Sequence, residues 1–98
     1  MAAETHKGVT ALRIRSADNV ATCITAQHAG ETSVCACEEE TEMVPLREDI
    51  PFGHKFALRD IQKGEKILKY GCPIGIAAQD IARGSHVHVH NVSSLRCG

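Results

Sequence analysis

Apolar and polar residues alternate with a period of two along the first half of the chain. Residues 12–15, with the sequence Leu-Arg-Ile-Arg, show the alternation that is typical of a half-buried strand. Asp18-Asn19 then predicts a turn, after which residues 20–24 predict a second strand and a third is expected around Val34. The pattern therefore predicts short strands joined by turns.

Charge and turn-forming residues interrupt the middle of the chain. Residues 44–46, Val-Pro-Leu, indicate a further short strand. The acidic run at residues 38–42 predicts a solvated loop, because its carboxylates repel one another. Pro51 and Gly53 then mark a turn immediately before His54.

The second half contains an internal repeat. Residues 57–67 and 77–87 share the pattern Ala-x-x-Asp-Ile-x-Lys/Arg-Gly-x-x-Ile/Val. We expect the Asp to cap its turn by accepting hydrogen bonds from backbone N–H groups two residues further on, and the Ile to anchor the turn in the core. The Gly tolerates a positive φ where the chain reverses into the next strand. Two similar strand-turn-strand units are therefore predicted.

These patterns predict a single all-β domain spanning residues 1–98. We expect about seven short strands, at most one or two short helical turns, an ordered core from about residue 10 to about residue 92, and flexible ends. A compact chain of this length has a radius of gyration of about 13 Å. Because 43% of the residues are hydrophobic but only 3% are aromatic, the core must consist mainly of Val, Ile, Leu and Ala.

Charge and hydropathy exclude several classes of function. Lys and Arg number 11 against 12 Asp and Glu, which gives a net charge of −1, so the overall charge indicates no nucleic-acid partner. No apolar run reaches the about 18 residues that a membrane span needs, and no membrane association is expected. The amino terminus lacks the apolar core of a signal peptide, so a cytoplasmic location with reduced thiols is expected.

The cysteines are odd in number and include no Cys-x-x-Cys pair. Cys35 and Cys37 share one face of a strand and could begin a soft-metal site. Because no second pair is available to complete the ligand set, we favour small apolar residues packed in a strand. Cys97, at the end of the chain, is expected to have no function.

Residues 86–90, His-Val-His-Val-His, contain half of the histidines. On a strand, His86, His88 and His90 face one side and the two valines face the core. Same-face residues lie about 6.6–6.8 Å apart, so two imidazoles can bind one divalent metal, whereas three span about 13 Å. A two-histidine site completed by a carboxylate or a further histidine is therefore sensible, with Zn, Fe, Ni or Cu, or Mn where carboxylates dominate. The row could instead bind a substrate carboxylate or another subunit, or form a plain polar face.

Two further segments combine polar side chains with turn residues. His54, in Gly53-His54-Lys55, could act as a general acid or base because imidazole titrates near neutrality, and Lys55 could bind an anionic substrate. The glycines of residues 69–75 would let the backbone approach a ligand closely. Ordinary turn chemistry is the alternative for both segments, and the sequence contains no phosphate-loop or nucleophile-elbow motif.

Four segments follow one another in an order that is more specific than any of them alone. They are Asp18-Asn19-Val20-Ala21, His54-Lys55-Phe56-Ala57-Leu58, Lys69-Tyr70-Gly71 before Pro73-Ile74-Gly75, and His86-Val87-His88-Val89-His90-Asn91. In this order they resemble the SAF-type amino-terminal domain of altronate dehydratases, over about residues 10–92. The resemblance implies a β-clip fold, in which long, bent hairpins fold over one another.

The resemblance also implies a sugar-acid dehydratase of the altronate/galactarate class, which removes water from a polyhydroxy acid to give a 2-keto-3-deoxy acid. A divalent metal, namely Fe, Mn or Zn, would stabilise the enediolate formed next to the carboxylate, and a histidine would protonate the leaving hydroxyl. The implied site consists of His54 and Lys55 as catalytic residues, Lys69, Tyr70, Gly71 and Asn91 as substrate contacts, and His86, His88 and His90 as metal contacts.

Large members of the family carry a much larger catalytic domain after this module. The chain is therefore expected to be a small subunit or a separated domain that is inactive alone, with the base and most metal ligands on a large catalytic partner. The small subunit of sulfolactate sulfo-lyases resembles the chain through the same histidine segments. A non-catalytic SAF binding module and a His-rich metal-binding protein are the remaining alternatives, and an isolated subunit could form a homo-oligomer through an exposed apolar face.

Overall fold

The computed structural model describes residues 8–94, which contain no helix and hence none that is long and apolar enough to cross a membrane. The strands are β1 (Ala11–Leu12), β2 (Val20–Cys23), β3 (Thr32–Cys37), β4 (Glu40–Pro45), β5 (Lys55–Ala57), β6 (Lys66–Lys69), β7 (Cys72–Ala77), β8 (His86–Val87) and β9 (Val92–Ser94). The all-β prediction is confirmed. The predicted flexible ends and Cys97 fall in residues 1–7 and 95–98, outside the described residues.

The strands form two sheets. The larger sheet has the order β4-β3-β1-β2-β5-β8 and the smaller one the order β6-β7-β9. Neighbouring strands are antiparallel except β1 and β3, which run parallel. One apolar cluster surrounds Phe56 and Ile50, and a second, around Ile61, Ile67 and Ile81, joins residues of both sheets. Aliphatic side chains therefore dominate the interior, as the composition predicts.

One turn design occurs four times. Residues 23–33, 46–56, 57–67 and 77–87 each contain a bend, a single bridge residue, a tight turn and the start of a strand, in that order. The turn glycine has a positive φ in every copy, at 90°, 82°, 92° and 87° along the chain. Only the last two copies keep both the Asp-Ile pair and a basic residue before the glycine, so the sequence pattern detects two copies of the four.

The last two copies pair through their bridge residues. Ile61 and Ile81 exchange two backbone hydrogen bonds, at 2.8 and 2.7 Å. Asp60 and Asp80 each accept a hydrogen bond from a backbone N–H in the other copy's turn, at 2.9 and 2.8 Å. The prediction that each Asp caps its own turn is therefore wrong. Because the bridge is antiparallel, each carboxylate lies against the opposite turn.

The first two copies pair in the same way. Gln27 and Ile50 form their bridge, and Asp49 accepts a hydrogen bond from the Ala29 N–H at 2.9 Å. In the first copy Ala and Gln replace the Asp-Ile pair, which hides the copy from a sequence comparison. The second copy of this pair carries His54 directly after its turn glycine, so the paired turns position a candidate site residue.

Two strand predictions near the amino terminus are wrong in detail. β1 ends at Leu12, and the side chains of Leu12 and Ile14, expected to face the core, are 40% and 41% exposed. Ala11 is the buried residue instead, because its face of β1 packs into the apolar cluster around Phe56 and Ile50. Ile24 is also exposed, since β2 ends at Cys23.

The acidic run is divided between a turn and a strand. Glu38 and Glu39 form the tight turn between β3 and β4, and Glu38 has a φ of 56°. The next residues belong to β4, where Glu42 Oε2 accepts a hydrogen bond from Arg83 Nη2 at 2.9 Å. The predicted solvated loop is thus confined to the turn, because a cation and strand pairing order the rest of the run.

Candidate functional site

Three histidines come together where β5 pairs with β8. The antiparallel register places Lys55 opposite Val87. One residue beyond this pair, the same register places His54, immediately before β5, opposite His88, immediately after β8. His86 lies two residues before His88 and shares its face. The cluster is therefore a consequence of strand register, which brings together residues that are far apart in the sequence.

The three imidazole rings lie within metal-ligand distance of one another. His54 Nδ1 and His86 Nε2 are 2.8 Å apart, a hydrogen bond in which one nitrogen donates and the other accepts. The ring centroid of His54 lies 4.2 Å from that of His88 and 5.1 Å from that of His86. One ring nitrogen of each residue lies within 4.8 Å of the other two. Among residues 8–94, no other group of three His, Cys, Asp or Glu side chains meets this distance.

The histidine row is not the straight strand that its alternation predicts. β8 ends at Val87, and residues 88–91 form a turn. The prediction that Val89 faces the core is wrong, since its side chain is 80% exposed. His90 is also exposed, with its ring centroid 5.3 Å from that of His86. His90 therefore lies at the edge of the cluster, and His54 takes the third position within ligand distance.

The donor set of the cluster fits a divalent metal. Metal–imidazole bonds of about 2.1 Å place two adjacent ligand nitrogens about 3.0 Å apart at an octahedral metal and about 3.4 Å apart at a tetrahedral one. His54 Nδ1 and His86 Nε2, which are 2.8 Å apart, would have to separate slightly to bind one ion. The ligand nitrogen of His88 lies within 4.8 Å of both and would have to move closer to them. A set of imidazoles without a carboxylate suits Zn or Fe better than Mn.

Burial and neighbouring groups lower the pKa values of His86 and His88. Burial lowers the pKa of His86, and the neighbouring histidines lower it further, while Glu48 acts in the opposite direction. Partial burial also lowers the pKa of His88, with smaller contributions from His54 and Lys55. Since neutral imidazole is the form that binds a metal, the surroundings of the cluster favour metal binding near neutral pH.

Lys55 lies beside the histidines and lines a cleft of about 180 Å³. Residues of both sheets form this cleft, and its wall is mainly apolar: it includes Ile67, Ile74, Val87 and Val92. Burial lowers the pKa of Lys55, and the charge of Lys69 lowers it further. An anion bound between the two ammonium groups would offset both effects, so this side of the cluster favours a negatively charged ligand.

Lys69, Tyr70 and Gly71 lie at the tip of the β6–β7 hairpin. Tyr70 and Gly71 form its tight turn, with φ values of 58° and 72°. The Nζ atom of Lys69 is 5.0 Å from the centroid of the exposed Tyr70 ring, a cation–π contact. Of the three predicted substrate contacts in this hairpin, Lys69 is the one whose charge acts on Lys55.

Two buried polar residues hold this hairpin in place. Asp18 is fully buried, and its carboxylate accepts hydrogen bonds from the backbone N–H groups of Tyr70 and Gly71, at 3.0 and 2.7 Å. Asn19 is 2% exposed and bonds the backbone of β6 at two points, at 2.9 and 2.8 Å. The sequence predicts only a turn here. An Asp-Asn pair before an apolar strand looks the same whether its side chains lie in an exposed turn or are buried and bonded to a neighbouring hairpin.

Asn91, predicted as a substrate contact, is 3% exposed and lies inside the turn after β8. Its Oδ1 accepts a hydrogen bond from the His88 N–H at 2.9 Å, and its Nδ2 donates to the His86 carbonyl at 2.8 Å. The polar atoms of the side chain are thus engaged with the backbone of two cluster residues.

Cys35 and Cys37 lie on the inward face of β3, at 2% and 6% exposure. Burial raises the pKa of Cys35 to about 11, so its thiol stays protonated at neutral pH. Neither thiol belongs to a group of potential metal ligands among residues 8–94. In the structure the two cysteines therefore serve as small buried side chains.

Comparison with known sequences assigns the chain to a family. The family described as "Altronate/galactarate dehydratase SAF domain" matches residues 9–95. The chain belongs to this family. The match includes both pairs of turns and every residue of the histidine cluster, so the geometry above is that of an altronate/galactarate dehydratase SAF domain.

Several relatives of this SAF domain are considerably longer. Altronate dehydratase of Escherichia coli (strain K12) is 49% identical over 80 residues, which are 82% of this chain and 15% of that enzyme. Altronate dehydratase of Bacillus subtilis (strain 168) is 49% identical over 51 residues, 52% of this chain and 10% of the enzyme. (2R)-Sulfolactate sulfo-lyase subunit alpha of Chromohalobacter salexigens is 42% identical over 59 residues, 60% of this chain and 63% of that subunit. The chain thus matches only a small part of either dehydratase.

Proposed function

We propose that this SAF domain is the small component of a sugar-acid lyase and completes the active site of a larger catalytic chain. The observation that carries the proposal is the convergence of His54, His86 and His88 beside Lys55. The reaction would be loss of water from an altronate- or galactarate-like acid to give a 2-keto-3-deoxy acid. The relation to altronate dehydratase over 82% of the chain supports this class of substrate.

In this proposal His54, His86 and His88 hold a divalent metal, with Zn or Fe preferred. A bound ion supplies Lewis-acid stabilisation of the negative charge that develops next to the substrate carboxylate. The three imidazoles would bind it in their neutral form, and the lowered pKa values of His86 and His88 support that state. Since the ligand set adds no negative charge, the site would attract the oxygens of an acid.

Lys55 and Lys69 would bind the carboxylate of the substrate. The two ammonium groups are close enough for the charge of Lys69 to lower the pKa of Lys55. A carboxylate between them would relieve this repulsion, and the partly apolar cleft would strengthen the attraction because water is largely excluded there. The lysines would therefore orient the acid with its carboxylate toward the histidines.

The imidazole of His90 would donate or accept a proton. His90 lies beside the cluster, but it is not one of the three residues at metal-ligand distance. Among the described residues, no carboxylate joins the cluster within that distance. We therefore assign the base that removes the first proton, and the remaining metal ligands, to the larger chain.

The surface around the histidines supports coverage by another polypeptide. Phe52 and Val89 are 70% and 80% exposed. Phe52 lies two residues before His54, and Val89 directly follows His88. Apolar side chains beside a polar site are typical of a surface that a protein partner covers.

We also propose a cytoplasmic location, which is compatible with the buried, protonated thiol of Cys35.

A sulfolactate sulfo-lyase is the second candidate, favoured by the large share of its subunit alpha that aligns with this chain. The aligned region covers 63% of subunit alpha of the Chromohalobacter salexigens protein and 72% of that of the Paracoccus pantotrophus protein. The same lysines would bind a carboxylate or a sulfonate, since both are anions with several acceptor oxygens. The two candidates therefore share the site and differ in the leaving group.

Co-purification from the source cells tests the proposal. The tagged full chain should recover a larger polypeptide in a 1:1 ratio, identified by mass spectrometry, and the complex should act on altronate, galactarate or sulfolactate. The substrate that is consumed selects between the two candidates. Recovery of the chain alone, or as a homo-oligomer without activity when the larger polypeptide is present, would contradict the proposal.

A further inference from the structure

We infer that Asn91 is a positioning residue, which fixes His88 at the cluster through the backbone and does not touch the substrate. The inference rests on the proposed function, because it concerns the metal-binding role of His88. The side chain of Asn91 is 3% exposed, and its amide bonds the backbone of His86 and of His88. A side chain so engaged has little capacity left for a ligand.

The pairing of β5 with β8 does not extend to the backbone of His88. Pairing between β5 and β8 ends with Lys55 opposite Val87, so His88 lies one residue beyond the last pair. Its N–H donates to Asn91 Oδ1 at 2.9 Å instead of to a neighbouring strand. Asn91 therefore takes over the role of a strand partner at the point where His88 turns toward His54.

The two ends of the Asn91 amide bind two different cluster residues. Nδ2 donates to the His86 carbonyl at 2.8 Å while Oδ1 accepts from the His88 N–H. Because the amide group is planar, it fixes the backbone at positions 86 and 88 relative to each other. This also fixes the directions in which the two imidazoles leave the backbone, and hence the separation of their nitrogens.

Asn19 provides a matched control. It is 2% exposed and also makes two side-chain hydrogen bonds to backbone, but to β6 and not to a cluster residue. Asn91→Ala and Asn19→Ala therefore remove equivalent interactions at two different places. Asn91→Asp, which keeps an acceptor for the His88 N–H but loses the donor to the His86 carbonyl, is the milder variant if Asn91→Ala does not fold.

The experiment measures Zn²⁺ affinity of the full chain by calorimetry and the His54–His88 ring contacts by NMR. Asn91→Ala should weaken Zn²⁺ binding about 10- to 100-fold, the usual cost of losing a residue that orients a metal ligand. Asn91→Asp, which keeps the acceptor for the His88 N–H, should weaken it by a smaller but measurable factor. The NOEs between the His54 and His88 rings should weaken as well, while those between His54 and His86 persist. Asn19→Ala should lose comparable stability but keep Zn²⁺ affinity within about twofold of the unmodified chain.

Unchanged Zn²⁺ affinity and unchanged ring NOEs in a folded Asn91 variant would overturn the inference. An equal loss of affinity in Asn19→Ala would also overturn it, because general destabilisation would then explain the effect. The proposed metal site has a separate test in His88→Ala. If that variant binds Zn²⁺ as the unmodified chain does, the metal site is wrong, and the inference on Asn91 is decided by the ring NOEs alone.

Discussion

His86 and His88 lie in surroundings that oppose their protonation. Burial lowers the pKa of His86, and partial burial with nearby cationic groups lowers that of His88. The site beside Lys55 therefore contains two imidazoles whose protonation is disfavoured. At the scale of single residues, this explains how closely spaced histidines coexist without an acidic partner at ligand distance among the described residues.

This arrangement makes the stability of the metal-free chain depend on pH. The native pKa values of His86 and His88 lie below the value of about 6.5 in the unfolded chain, so protons bind the unfolded state more tightly. The resulting destabilisation is absent above about pH 6.5 and grows as the pH falls toward the native pKa values. The free energy of unfolding, measured with urea and a chelator, should therefore fall less between about pH 7 and about pH 5.5 in His88→Ala than in the unmodified chain.

His28→Ala is the control for this measurement. His28 is exposed and lies 3.7 Å from Asp49, outside the cluster. Its variant retains the complete cluster, so the fall in unfolding free energy that depends on the cluster should persist in it. Identical slopes in the unmodified chain and in His88→Ala would show that the cluster does not shift the titration of His88.

At the scale of elements, the fold is built from paired turns that cap each other. The Asp of one copy accepts a hydrogen bond from the turn of its partner copy, so neither turn is complete alone. The pair formed by residues 23–33 and 46–56 contains His54, and the pair formed by 57–67 and 77–87 contains His86. Each pair of turns therefore positions one histidine of the cluster.

Gly64 and Gly84 occupy equivalent positions in one pair of turns. Replacing each by alanine separates the free-energy cost of backbone strain from that of close packing. Gly64 and Gly84 both have a positive φ, at 92° and 87°. A Cβ at Gly64 would meet nothing within 4 Å, whereas one at Gly84 would collide with the Pro45 carbonyl oxygen. Gly64→Ala should cost about 1–2 kcal/mol in unfolding free energy, and Gly84→Ala about 2–5 kcal/mol because the collision adds to the backbone cost.

Urea denaturation of the two variants at pH 7 tests this difference. Equal losses of stability would mean that the turn of residues 77–87 can move away from β4, contrary to its close contact with Pro45. A larger loss in Gly64→Ala than in Gly84→Ala would contradict the packing argument altogether.

Many of the strands and turns could be predicted from the sequence, for physical reasons. Period-two alternation and turn residues are local signals, and they predicted an all-β chain and two of the four turn copies. The reciprocal capping was not predictable, because it depends on which turns meet in space. Leu12 and Ile14 show the same limit, since alternation reveals a strand but not which side of it the sheet buries.

At the scale of the whole molecule, the site depends on register between segments far apart in the chain. The sequence singled out His54 and His86–His90 separately, and the resemblance to altronate dehydratases placed both near one active site. No local pattern predicted that His54 would lie opposite His88 while His90 lies outside the ligand group. The burial of Asp18 and Asn91 was not predicted, because burial of a polar residue is decided by the packed structure.

On the proposed function, this domain supplies only part of the active site. The chain matches 15% of the Escherichia coli altronate dehydratase, and the exposed residues Phe52 and Val89 lie close to His54 and His88 in the sequence. Both features agree with a domain whose chemistry is completed by a larger polypeptide. The central claim is therefore that the histidine cluster of this chain acts on substrate within an assembled enzyme.

The most direct test of that claim is kcat/KM for lyase activity of the assembled enzyme carrying His88→Ala. We predict a fall of at least about 100-fold, as expected when a metal ligand or proton-transfer group is lost, with His28→Ala within about twofold of the unmodified enzyme. Equal kcat/KM values for His88→Ala and the unmodified enzyme, in a complex of normal composition, would contradict the proposed role of the cluster.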